Sequence, residues 1–77
     1  VRDGSALMHI VNSIGDGIDA MTTRIVIENC IENGLISENA AQIMAAAVSN
    51  AVMQNVPPMF KDSIRAAILK QMLLTQI

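Results

Sequence analysis

One cysteine, one histidine and one aromatic residue are all that 77 positions supply of the side chains that most often carry chemistry. With Cys30 alone no disulfide framework staples the fold, and with His9 alone there is no cage for a structural metal. Charge is sparse as well: Asp, Glu, Lys and Arg make up 16% of the chain, against roughly 25% in an average soluble domain. Five Lys and Arg against seven Asp and Glu leave a net charge of −2, which argues against a non-specific nucleic-acid binder, whose basic excess is its signature. No signal peptide is recognisable, because Arg2 and Asp3 precede an amphipathic rather than a continuously apolar segment. The start at Val1 without a methionine reads as a piece of a longer protein, with residues 1–77 as one helical-bundle domain.

Apolar residues, by contrast, are plentiful at 52%. A chain this short buries only about 60% of its unfolded surface, so some of that apolar surplus must stay outside, as a homo-oligomer contact or a partner-binding patch. The longest uncharged stretch is Asn39 to Phe60, and within it Ala40, Ile43, Met44, Ala47, Val48 and Val52 fall on every side of a helix. A helix apolar all round belongs in a core or a membrane. Asn39, Gln42, Ser49, Asn50 and Gln54 make this one too polar to cross a bilayer, which leaves a central packed helix with neighbours close around its alanines.

In chain order, Asp3 or Ser5 is placed to cap a first helix, and Leu7, Val11, Ile14, Ile18, Met21 and Ile25 recur at alternating spacings of four and three. Gly15 and Gly17 break that seam, and Asp16 with Asp19 has the look of a cap followed by an acid in the first turn. Asn33-Gly34 ends the second helix, Ser37 caps the third with Glu38 behind it, and Ile36 is placed to staple against Ala41. Val56-Pro57-Pro58 stops the third and starts a last helix with Phe60, Ile64, Ala67, Ile68 and Leu74 or Ile77 facing inward. The expected fold is all-α, a small antiparallel bundle of three to four helices at about 5–14, 17–33, 37–55 and 58–75.

Three constellations invite a chemical reading. Cys30 and His9 are the one conceivable nucleophile and base, but His9 lies on the outward side of the seam, so Cys30 reads as a buried structural thiol. Asp16, Gly17 and Asp19 have a calcium-loop flavour, yet Ile14 stands at a ligand position and no Glu closes the loop. Lys61, Arg65 and Lys70 form no single stripe on the last helix, because Lys70 points about 180° from Lys61 at 100° per residue. They read as a solvated face able to attract the acidic first half, where residues 1–38 hold six acids and two arginines. Catalytic, cofactor and metal residues are therefore all read as none.

Two resemblances bear on function. Asp62-Ser63-Ile64 resembles the Asp-Ser-Leu at which acyl carrier proteins bear phosphopantetheine, but here only fourteen residues follow Ser63 whereas that family has two further helices after its serine. The segment Thr23-Arg24-Ile25-Val26-Ile27-Glu28-Asn29-Cys30-Ile31-Glu32-Asn33-Gly34-Leu35-Ile36-Ser37, a helix turned through Asn-Gly into a capped Ala-rich helix, resembles the kinase-binding helical bundles of plant-pathogen type III effectors of the AvrPtoB and HopPmaL kind. That resemblance implies a virulence module secreted into a host cell, where it docks on a receptor-kinase domain and suppresses immune signalling. It carries over no contact residue.

The reading is thus a non-enzymatic protein-interaction module with a protein partner, no nucleic acid and no membrane insertion, and with homo-oligomerisation open. A small homo-oligomeric DNA-binding or regulatory domain is the alternative. The apolar residues at loops and helix ends are the expected contact points: Leu35 and Ile36 before the Ala-rich helix, Met59 and Phe60 after it, with Lys61 and Arg65 as a charged rim.

Overall fold

In the computed structural model, which describes residues 4–77, every regular element is helical. Helix α1 spans Gly4–Ile14, α2 Ala20–Glu32, α3 Glu38–Ala47, the single turn α4 Asn50–Met53 and α5 Lys61–Leu74, with a 3₁₀ turn at Pro58–Phe60 leading into α5. The result is a small all-α bundle, 40 × 22 × 19 Å along its principal axes. The helix cap expected of Asp3 lies outside the described residues, and Ser5 stands inside α1.

Local chemistry accounts for the boundaries. Gly15 has φ +71° just beyond α1, a left-handed conformation that glycine adopts without a Cβ penalty. The second helix starts at Ala20 and not at Gly17, because the capping residue is Asp19: its side chain accepts the Thr22 backbone N–H at 2.7 Å. At the other end of α2, Leu35 N–H donates to Cys30 O at 2.9 Å and Gly34 N–H to Ile31 O at 3.0 Å, with Gly34 at φ +68°. These are the two bonds of a Schellman motif. Ser37 then caps α3 by accepting from Ala40 N–H, and Ile36 and Ala41 are both buried in the same apolar cluster, as a staple requires.

Helix α3 is shorter than the expected span to residue 55. Ser49 takes an extended conformation (φ −66°, ψ 161°) and caps α4 through Val52 N–H, so the helix stops at Ala47. A serine side chain that can bond its own backbone competes with helix continuation, and β-branched Val48 before it weakens the turn further.

The core runs through the whole chain. Leu7, Val11, Ile14, Ile18, Ile27, Cys30, Leu35, Ile36, Ala41, Met44, Ala66, Leu69 and Leu73 form one buried cluster. Helices α1 and α5 pack antiparallel: Ile77 reaches Gly4 at one end, while the 15–19 loop meets the first turn of α5 at the other. Helices α2 and α3 form the second pair, joined by the tight 33–37 connection.

Three expectations about facing are corrected. The seam holds through Ile18 but not beyond, since Met21 and Ile25 are 74% and 56% exposed. The loop at Gly15–Asp19 resets the helical phase, and α2 buries Thr23, Ile27 and Cys30 instead. The Ala-rich helix is not surrounded: in α3 only Ala41 and Met44 are buried, Ala45 and Ala46 face outward and Ile43 is 54% exposed. On α5 the inward side is Arg65, Ala66, Leu69 and Leu73, whereas Phe60, Ile64, Ala67, Leu74 and Ile77 are exposed and Ile68 is half-buried.

Candidate interaction surfaces

The residues expected to meet a partner divide sharply. Leu35 and Ile36 are buried, so they do not form the exposed patch anticipated in the loop before α3. The capping chemistry is the reason: Leu35 is the residue that closes the Schellman motif and Ile36 precedes the Ser37 cap, and both positions turn an apolar side chain inward. On the other side of α3, Met59 is 79% and Phe60 51% exposed, and Lys61 is half-buried.

Arg65 is not a rim charge. It is 5% exposed, and its guanidinium Nη1 donates to Ile18 O and to Asp62 Oδ1, each at 2.7 Å. Its Nε, buried as well, has no acceptor. Beside it, Ile18 N–H donates to Asp62 O at 3.2 Å, and a Cβ on Gly17 would stand 3.5 Å from Asp62 Cβ. The first turn of α5 is thereby fastened to the loop between α1 and α2, which fixes the phase of α5 and so decides which of its faces points outward. Asp19 in this loop has its carboxyl held below the usual carboxylate range, chiefly by the Thr22 backbone N–H it accepts.

The outward face of α5 is an extended apolar surface. At 100° per residue, Ile64, Ala67, Ile68, Gln71 and Leu74 share the side opposite the buried residues, and Phe60 continues the row at the N-terminal end. No charged residue of α5 falls within it; Lys61 and Lys70 flank it on either side. A partly exposed Ile64 (37%) and Leu74 (38%) with a small exposed Ala67 between them leave a shallow, closely approachable strip.

A second open surface lies between α2 and α3. It is a groove of about 480 Å³ whose lining includes Ala20, Ile27, Ile31, Ala41, Ala45 and Val48, with Arg24, Glu28 and Glu38 also on its wall. From α3 the lining takes in the buried Ala41 and the exposed Gln42 and Ala45, short or polar side chains that leave space between the helices.

The nucleophile candidates stay apart in character. Cys30 is fully buried among apolar side chains, and desolvation pushes its thiol pKa up, away from a reactive thiolate. His9 is exposed on α1.

Sequence reasoning missed Ile64, Ala67 and Leu74 as surface residues, and it missed the groove. The available signal was that α5 carries two apolar rows, Ala66/Leu69/Leu73 and Phe60/Ile64/Ala67/Leu74, while the core accepts one.

The family model of the CtsR C-terminal dimerization domain matches residues 2–74. Among curated proteins and among solved structures, none matches the chain. The family match overturns the type III effector resemblance, and with it the host-kinase partner, the virulence role and secretion into a host. The turned helix pair of residues 23–37 that suggested it is a Schellman turn followed by a serine cap, a junction general to helical proteins. The regulatory, homo-oligomeric alternative is the better supported of the two. With the match covering nearly all of the helical framework, this chain belongs to the CtsR C-terminal dimerization domain family.

Proposed function

We propose that this chain is the homodimerisation module of a bacterial stress regulator of transcription, and that it works by pairing two copies of the parent protein at fixed spacing, without an enzymatic activity of its own. The observation that carries the reading is the uncharged row on α5. A helix with one apolar stripe buries it in its own core, and a second stripe on the opposite side calls for a second chain. Pairing matters to such a regulator because a two-fold protein matches two half-sites on a duplex, each contributing to affinity. The net charge of −2 fits a module that positions DNA-reading parts rather than touching DNA itself.

Sedimentation equilibrium over a range of concentrations tests this. The expected result is a mass of twice the 8.2 kDa chain, dissociating on dilution. A mass of 8.2 kDa at every concentration would refute it.

A further inference from the structure

We propose that the two open surfaces are complementary, so that in the dimer the outer row of α5 in each copy lies in the α2/α3 groove of the other. The inference rests on the homodimer reading and adds the mode of pairing.

Three observations carry it. The first is length. From Ile64 to Leu74 the row runs about 15 Å at 1.5 Å per residue, and the α3 side of the groove, Glu38 to Val48, runs about the same. The second is charge. Lys61 and Lys70 flank the row, while Glu28 and Glu38 lie on the groove wall beside one arginine, Arg24. Docking row into groove sets opposite charges along the edges, whereas groove against groove would oppose Glu to Glu. The third is area. A stable interface takes about 800 Å² from each partner, and one helix face about 15 Å long and 10 Å wide supplies only about 150 Å². Packing α5 on α5 alone falls short of that and leaves both grooves open. Reciprocal docking covers both the row and the groove of each copy, more surface than either pairing alone, and an exchange in which each copy gives and receives the same surfaces closes as a two-fold dimer.

The test is a charge-swap complementation read by sedimentation, with helicity by circular dichroism as the check on folding. In the pair Glu28→Lys with Glu38→Lys, groove and row are both basic; in Lys61→Glu with Lys70→Glu, both are acidic. Each double variant alone is expected to lose dimer affinity at least tenfold, and an equimolar mixture is expected to restore a heterodimer, because a basic groove then receives an acidic row and the other contact is native. Should a reversal unfold the chain, Glu28→Gln with Glu38→Gln and Lys61→Gln with Lys70→Gln take its place. These are expected to weaken the dimer and to flatten its dependence on salt. Double variants that dimerise like the unaltered chain, or a mixture that forms no heterodimer, would overturn the docking mode while leaving dimerisation standing. An unaltered chain that never dimerises would instead remove the reading beneath it.

Discussion

Replacing Arg65 by methionine probes the fastening that sets the phase of α5. The guanidinium is buried, and three terms change when it is removed. The bond to Ile18 O at 2.7 Å is lost, worth about 1.5–3 kcal/mol for a charged donor. The ion pair with Asp62 is lost too, but that carboxylate is 64% exposed, so solvent screening holds its contribution to about 1 kcal/mol or less. Against these stands relief from keeping a buried cation with an unpartnered Nε out of water, about 1–3 kcal/mol. Methionine keeps the apolar stem, so the terms nearly offset and Arg65→Met should change stability by no more than about 1 kcal/mol. Arg65→Ala removes the stem as well, leaving a void beside Ile18, and should cost about 2–4 kcal/mol. Urea denaturation followed by circular dichroism at one protein concentration measures both, with an unchanged slope confirming the same two states. A methionine variant that loses as much as the alanine variant would refute the reasoning, because the guanidinium's own bonds would then be what holds the loop to α5.

Phe60→Ala should cost less than about 1.5 kcal/mol in the dilute monomer, because the ring is already half exposed, in place of the 3–5 kcal/mol of a core phenylalanine; dimer affinity should fall, and thermal melts at low and high concentration separate the two effects. Asp19 has its carboxyl lowered in the folded state by the Thr22 N–H. Its capping contribution should therefore be complete near neutral pH and be lost as pH falls below about 4, through the lowered value, so Asp19→Asn should flatten that acid limb in melts taken between pH 2 and 6.

The residues that bond locally were the legible ones. Asn33-Gly34 and Ser37-Glu38 each announce a helix boundary through a residue that acts on its own backbone, and each sits where it is expected, whereas Val56-Pro57, expected to stop the third helix, follows α4 because Ser49 ends α3 at Ala47. Facing was harder to read. Met21 and Ile25 continue the spacing of Leu7 to Ile18, yet a five-residue loop rotates α2 so that they point outward. Periodicity reports spacing within a helix and carries no information on phase across a break. The alanine run misled for a related reason: alanine loses little whether buried or exposed, so Ala45 and Ala46 on the surface violate no rule. Of the expected contact residues, Met59 and Phe60 are exposed, while Leu35, Ile36 and Arg65 are held inside by a Schellman turn, a staple position and a pair of hydrogen bonds that only three-dimensional neighbours reveal. The choice between the two apolar rows of α5 likewise depended on Asp62 and Arg65 meeting Ile18, a contact spanning 47 positions of sequence.

If a second copy of the chain covers the outer row of α5, sedimentation equilibrium of Ile64→Lys beside the unaltered protein will register the loss of that contact. Ile64 lies in the N-terminal part of the row, next to Phe60, and is 37% exposed, so a lysine there can reach solvent in the monomer but would be buried without a partner charge in the dimer. The predicted result is a folded, helical monomer at concentrations where the unaltered chain is a dimer. An Ile64→Lys chain that dimerises with unchanged affinity would show that the row is not covered by the second copy.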